Sequence, residues 1–383
     1  MKKRPLIIIG SGLAGYMLAK EFRKLDPNYP MMMITSNDGA FYSKPLLSTS
    51  FTAKRTATKI ATADVAAMSE QLKMDIQTAT TVTKINTTEK IVETLSGSFP
   101  YEKLVLATGS AIINAPVLGD AVDSILSVND LEDYARFCEF VADKKKIAIL
   151  GAGLVGCEFA NDLANTGHEV HVIDPAYYPL QRLLPEKVGR VLEKALSARG
   201  VNWHLGKLVS EINHHQESYH LMLSHQELLE VEVVMSAIGL RPNVGLAEAA
   251  EIKTNYGILV DRYLQTSHPD IYALGDCAEV GGLVLFFVAP LLRCASALAN
   301  TLANNPTEVV YPVMPVVLKT PSCPIVIASP PRNLLGEWTV EGEDNNLRAL
   351  YHDHESNIAG FVLTGKMVVE KNKWVEVMSP LLT

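Results

Sequence analysis

The 383-residue chain has little cysteine and no cysteine motif: Cys138, Cys157, Cys277, Cys294 and Cys323 form no C-x-x-C pair and no spacing suited to zinc or an iron–sulfur cluster. A flavoprotein that reduces disulfides needs an internal dithiol, so that chemistry is excluded, and the thiols read as small buried hydrophobes. Long apolar runs are missing as well. The longest, such as 283–292, fall far short of a membrane span, and the opening Met1-Lys-Lys-Arg-Pro leads into a short strand without the apolar stretch of a signal peptide. A cytoplasmic protein without membrane insertion is expected. Positive charge is scarce overall: 34 Lys and Arg stand against 42 Asp and Glu, a formal −8 that disfavours nucleic acid as a partner. Its distribution is uneven, since residues 1–60 hold ten basic and three acidic side chains, or +7. That stretch is either an ordinary solvated surface or a face that steers an acidic partner.

What the chain does contain is a duplicated glycine turn. Gly10-Ser-Gly-Leu-Ala-Gly15 follows the apolar run 6–9 and opens a helical pattern reaching residue 25, while Gly151-Ala-Gly-Leu-Val-Gly156 follows 146–150 and opens another over 158–163. In each copy a buried strand ends in a turn whose glycines let backbone N–H groups approach a pyrophosphate at the positive end of a helix. The candidate contacts are Gly10, Gly12, Leu13, Ala14 and Gly15 in the first copy, and Gly151, Gly153, Leu154, Val155 and Gly156 in the second. Two dinucleotide sites 141 residues apart suit a flavoprotein fed by a nicotinamide nucleotide, one cofactor storing electrons and the other delivering them.

The second strand of the first copy runs into Thr35-Ser-Asn-Asp38, where such folds often place an acid for the ribose hydroxyls, so recognition falls among Ser36, Asn37 and Asp38. The matching strand of the second copy does end in an acid. Asp174, 23 positions after Gly151, favours the free 2′-hydroxyl of NADH over the 2′-phosphate of NADPH. Lys44, between Tyr42 and Pro45, is either a solvated loop lysine or a cation that offsets charge on a pyrophosphate or reduced flavin. Val82 is a candidate backbone contact for an adenine, and Ala107, Thr108 and Gly109 end a strand in small residues that admit a cofactor closely. Glu158 is either an acid in the positive end of its helix or a contact on the nicotinamide side. Gly239 lies in the turn that closes the second domain, and Gly275 and Asp276 sit at the carboxyl end of a further buried strand, where ligands are held. A helix starting near Pro290 presents its positive end, and the chain turns β-rich after residue 309. His204, His214, His215, His220 and His225 crowd the polar stretch 203–234; with no Cys or acid at ligand spacing they read as surface residues and no metal is expected.

Taken in order, Gly10-x-Gly12-x-x-Gly15, Ala107-Thr-Gly109, Gly151-x-Gly153-x-x-Gly156-x-Glu158 and Tyr272-Ala-Leu-Gly-Asp276 resemble the FAD-dependent pyridine nucleotide-disulfide oxidoreductase superfamily. The missing dithiol is similar to the branch that passes electrons to iron–sulfur proteins. Segments 42–48, 131–136, 156–163 and 319–324 resemble the bacterial rubredoxin reductases that supply alkane hydroxylase systems. The resemblance implies an α/β fold with two Rossmann-like dinucleotide-binding domains, glutathione-reductase-like, plus a small α+β C-terminal domain. FAD is then expected on residues 1–115 and 243–312, NADH on 116–242, and an interface domain over 313–383. It further implies Lys44 and Lys319 as cations beside the flavin, Glu158 as the nicotinamide-side acid, Asp276 as the ribityl partner, and rubredoxin, a small acidic iron carrier, as electron acceptor. Ser36 stands where ferredoxin-reducing relatives carry an acid. Two alternatives stay open: a reductase of ferredoxin or flavorubredoxin, and a redox sensor that does not turn over.

Overall fold

In a computed structural model, which describes residues 4–383, four runs from the first 106 residues and a fifth from far along the chain form one parallel sheet. Its strands lie in the order Ile271–Ala273, Lys103–Leu106, Leu6–Ile9, Met31–Ile34 and Asp75–Gln77. Leu6–Ile9 is buried at every position, as a central strand covered on both faces must be. Met1 to Lys3, including two of the basic residues counted above and the start of the segment read for a signal peptide, lie outside the described residues. The helix Leu13–Leu25 leaves the glycine turn with Gly12 as its N-cap and packs along Val288–Leu302.

The same plan recurs further on. Val201–Leu205, Glu169–Asp174, Lys146–Leu150 and Val233–Ser236 form a second parallel sheet in that order, and Leu154–Ala164 starts from Gly153. A three-stranded antiparallel sheet, Val209–His215, Ser218–Leu223 and Glu227–Val231, covers part of it, burying Ile212, Leu221, Leu223 and Val231 against Ala148, Leu150 and Ile173. Ser110–Ile112 and Leu240–Pro242 pair antiparallel, so the two passes of chain between the halves run side by side.

The β-rich part after residue 309 is a five-stranded antiparallel sheet in which Asn346–Asp353 and Ile358–Thr364 make a hairpin. Its period-two pattern serves two cores. Ile325, Ile327, Ala349 and Val362 join the core under the second parallel sheet, while Val326, Ala328, Phe361 and Leu363 pack under Trp374 and Met378. This is the expected architecture of two Rossmann-like units and a smaller α+β unit. The end of the chain adds a feature that the sequence pattern did not suggest. Leu381 and Leu382 return to the core of the first half, where the Leu381 N–H donates to the Tyr311 carbonyl at 2.8 Å and the Tyr311 N–H donates to the Leu382 carbonyl at 2.9 Å. Among the described residues no helix is long and apolar enough to cross a membrane.

Candidate cofactor cradles and their junction

The two glycine turns divide their glycines between fold and ligand. A Cβ on Gly10 would run into the Ala107 carbonyl oxygen, and one on Gly15 into the Gly10 carbonyl oxygen; at Gly151 it would meet the Ala237 oxygen at 2.7 Å. These glycines are demanded by packing. Gly12 and Gly153 are different, because a Cβ at either meets no protein atom within 4 Å and their φ angles, −64° and −78°, suit any residue. Both stand at the N-cap of a helix with no side-chain cap, leaving orphan N–H donors in the open space before them. A pyrophosphate resting on those N–H groups accounts for glycine at both positions, so the residues present fit a dinucleotide in each cradle.

Beside the first turn lies a cavity of about 240 Å³ whose walls include Gly10, Thr35, Ser36, Thr81, Val82, Thr108, Asn243 and Leu246. Ser36 and Val82, both singled out from the sequence, therefore line the cavity beside the first turn. Asn37 serves the turn itself. Its Oδ1 accepts from Ser11 Oγ at 2.8 Å, Thr35 Oγ1 at 2.8 Å and the Gly39 N–H at 3.0 Å. Asp38 is exposed and accepts from the Ala40 N–H at 3.0 Å. Gly275, at φ +80°, would press a Cβ to 2.7 Å from Ala14, which fixes the strand end carrying Asp276 against the first helix.

In the second cradle Asp174 accepts from the Ala152 N–H at 2.6 Å and from the Ala176 N–H at 2.7 Å. Its position relative to the turn corresponds to that of Thr35 in the first copy, since Ile34 pairs with Ile9 and Ile173 with Leu150. A carboxylate with two backbone donors keeps lone pairs for a ribose. Lys207, whose N–H donates to the Asp174 carbonyl, has its ammonium on Glu227. Val155 is 43% exposed in the first turn of the helix, and Gly239 sits at φ +134° in the loop between Val233–Ser236 and Leu240–Pro242.

The cradles meet at Glu158. This carboxylate, only 5% exposed, accepts from Ser48 Oγ of the first half and pairs with Lys319 Nζ at 2.8 Å, while the Lys319 N–H donates to Oε1 at 3.0 Å. Lys319 Nζ also donates to the Pro45 carbonyl and, at 2.9 Å, to Ser48 Oγ. One acid thus ties together the 3₁₀ turn Lys44–Thr49, the second helix and the C-terminal sheet.

Lys44 is arranged differently. Its Nζ donates to Asn129 Oδ1 at 2.6 Å and, among the described residues, makes no ion pair. Asn129 Nδ2 donates to the Ser110 carbonyl at 3.0 Å, and Ser110 Oγ donates to Asp276 Oδ2 at 2.9 Å. Burial pushes the Lys44 pKa below the ordinary lysine value, with Asp276, Asp130 and Asp133 opposing the shift. Asn129, Ser110, Ser48, Asn243 and Thr35 carry no sequence signal of their own. Asn243 bonds Thr108 in both directions, at 2.8 and 2.9 Å, across 135 residues.

All five cysteines are unbridged, and four are buried. Burial pushes the Cys294 and Cys323 thiols up to about 11 and raises Cys157 and Cys277 too, so none of these is poised as a thiolate. The histidines are less uniformly superficial than their sequence context suggests. His171 Nδ1 and His204 Nε2 lie 3.0 Å apart between Glu169 and Glu227, and His215 and His220 stack at 3.8 Å beside Glu230.

The family model for pyridine nucleotide-disulphide oxidoreductases matches residues 4–299, and that for the rubredoxin binding C-terminal domain matches 308–378. The chain is 46% identical over 371 residues to a rubredoxin-NAD(+) reductase of Alcanivorax borkumensis, covering 96% of this chain and 97% of that one. It is 36% identical over 364 residues to a nitric oxide reductase FlRd-NAD(+) reductase of Aliivibrio fischeri, covering 95% and 96%. Its fold superimposes on the ferredoxin reductase for the CYP199A2 system of Rhodopseudomonas palustris with a TM-score of 0.89 at 21% identity, over 99% of this chain and 96% of that one. With its paired cradles and matching C-terminal sheet, the chain belongs to the pyridine nucleotide-disulphide oxidoreductase family.

Proposed function

We propose that this chain is an NADH-dependent reductase of rubredoxin, with FAD on the first cradle and NADH on the second. The observation that carries the reading is the contact between Ser48 and Glu158, which brings a loop of the first half against the helix of the second cradle. FAD, when bound, supplies the acceptance of a hydride from NADH and the return of its electrons one at a time. The protein's part is binding, alignment and charge.

The backbone N–H groups at Gly12 and Gly153 hold the pyrophosphates, and the wall with Ser36, Val82 and Asn243 takes the adenosine of FAD. Asp174 accepts the ribose hydroxyls of NADH and repels a 2′-phosphate, which finds no spare charge on Lys207. Lys44 contributes a positive charge with no carboxylate in ion-pair contact among the described residues, and Lys319 contributes one shared with Glu158. Asp276, oriented by Ser110, is the acceptor for a ribityl hydroxyl.

Rubredoxin is favoured as acceptor by the matched C-terminal domain and by the Alcanivorax relative. Lys54, Arg55 and Lys59, exposed on the segment after Lys44–Thr49 and without ion pairs among the described residues, give an acidic carrier a place to approach. Supply of an alkane hydroxylase system is the downstream role we favour. Flavorubredoxin is the second reading, supported by the Aliivibrio relative. The unbridged thiols suit a reducing cytoplasm. The test is a parallel anaerobic assay of rubredoxin, flavorubredoxin and ferredoxin with NADH and with NADPH. Rubredoxin and NADH should give the highest kcat/KM; preference for either other carrier replaces the proposed acceptor.

A further inference from the structure

The antiparallel sheet of the second half places three metal-ligating side chains on its open face. His220 stands opposite Asn213 on one neighbouring strand and opposite Glu230 on the other, and His215 lies two positions beyond Asn213. The period of two therefore puts His215, His220 and Glu230 on the same face, one from each strand. That face is opposite the one that buries Ile212, Leu221 and Val231. The sequence hides the grouping, because the acid arrives by strand register rather than by ligand spacing along the chain.

The geometry is open to a metal. The imidazole rings of His215 and His220 stack at 3.8 Å with 15° between their planes. One ligand atom from each of the three residues lies within 4.8 Å of the others, and His220 Nε2 is 4.0 Å from Glu230 Oε2. Donors around one tetrahedral zinc are about 3.4 Å apart, so modest rotations of these surface side chains close the set. Among the described residues neither ring has a closer hydrogen-bond partner. Ser218 Oγ, its one proton facing both Glu230 Oε1 and the His215 carbonyl at 2.8 Å, links the carboxylate to the strand that carries His215, as outer partners of metal ligands commonly do. The other histidine pair offers no such site, since its facing nitrogens, His171 Nδ1 and His204 Nε2, are joined to each other and its outer ones face Glu169 and Glu227.

We propose that His215, His220 and Glu230 form a binding site for a divalent transition metal, stapling the three strands outside the cofactor cradles. Two imidazoles and a carboxylate suit Zn2+, Ni2+ and Cu2+ and select against Mg2+ and Ca2+. Three protein ligands leave the remaining positions to water.

The test is calorimetric titration of the FAD-loaded full chain with Zn2+ after treatment with a chelator. One Zn2+ per chain is expected, with binding lost in His215→Ala and in His220→Ala, about tenfold weaker in Ser218→Ala, and unchanged in His204→Gln. Zn2+ should also raise the thermal midpoint of the unsubstituted chain and leave that of His220→Ala where it was. Zn2+ binding that persists unchanged in both histidine variants, or that disappears only in His204→Gln, overturns the proposal. So does the absence of binding by the unsubstituted chain.

Discussion

Lys319 and Glu158 are joined twice across 161 residues of sequence, by an ion pair of 2.8 Å and by a bond of 3.0 Å from the lysine backbone N–H. Because Glu158 is buried and also accepts from Ser48, the pair fixes the second cradle's helix against both other parts of the molecule. Replacing Glu158 by Ala leaves the Ser48 hydroxyl and the Lys319 N–H without their acceptor. The expected cost is about 1–3 kcal/mol of stability, measured by denaturant unfolding. Turnover with NADH should fall about tenfold to a hundredfold, with Gln recovering part of both losses.

Lys44 differs from Lys319 in having no carboxylate on its ammonium. Removal of that charge in Lys44→Met should lower the two-electron potential of the bound flavin by about 30–60 mV, the equivalent of about 1.4–2.8 kcal/mol. Asn129→Asp should act in the same direction by placing a negative charge where Oδ1 now accepts from Nζ. Potentials measured against reference dyes separate this effect from simple loss of fold.

The depressed pKa of Lys44 gives the rate a pH dependence of known sign. Below that value the ammonium is present; above it the charge is lost. Flavin reduction by NADH should therefore slow as pH rises through a value below the ordinary 10.5, and this limb should be absent in Lys44→Met. For folding the sense is reversed. Between the depressed value and 10.5 the unfolded chain holds more protons, so this group makes the protein more stable as pH rises there. Stopped-flow and unfolding series over the same pH range test both statements.

Glycine substitutions should separate fold from ligand. A methyl group on Gly12 or Gly153 meets no protein atom, so both alanine variants should fold with nearly unchanged stability. Gly12→Ala should emerge poor in FAD, and Gly153→Ala should keep FAD while its KM for NADH rises about tenfold or more. Gly10→Ala, whose methyl group meets the Ala107 carbonyl oxygen, should fail to give a stable protein. Flavin absorbance per chain and thermal unfolding are the readouts.

The exposed Lys54, Arg55 and Lys59 imply a salt-dependent encounter. Reduction of rubredoxin should slow several-fold as ionic strength rises from about 20 to 200 mM, whereas reduction of a small neutral quinone should not. Charge reversal at all three lysine and arginine positions should flatten the salt dependence.

The cradles were legible in the sequence because strand, glycine turn and helix are consecutive, and each glycine answers to a local steric demand or to a ligand. Asp174 could be placed for the same reason, at a fixed distance from its turn. Resemblance singled out Glu158 and Lys319 separately, but their contact with each other and with Ser48 was not legible, since nothing near Glu158 in sequence announces either partner. Asn129 was missed entirely: it precedes a helix start, where an asparagine normally signals nothing beyond a turn, and its role depends on Lys44 lying 85 residues away in the chain. Asn37 has a second part that sequence does not announce: its place after the second strand suggests a ribose contact, and its Oδ1 accepts from three donors of the turn. Side-chain networks between distant segments are set by packing of whole units, and a one-dimensional pattern carries no trace of them.

The most direct test of the account is to mix the FAD-loaded protein anaerobically with NADH and rubredoxin and follow the visible absorbance of the iron centre. The account predicts rapid bleaching with two rubredoxins reduced per NADH, slowed in Glu158→Ala and in Lys44→Met. A flavin that NADH reduces but that leaves rubredoxin oxidised would contradict it.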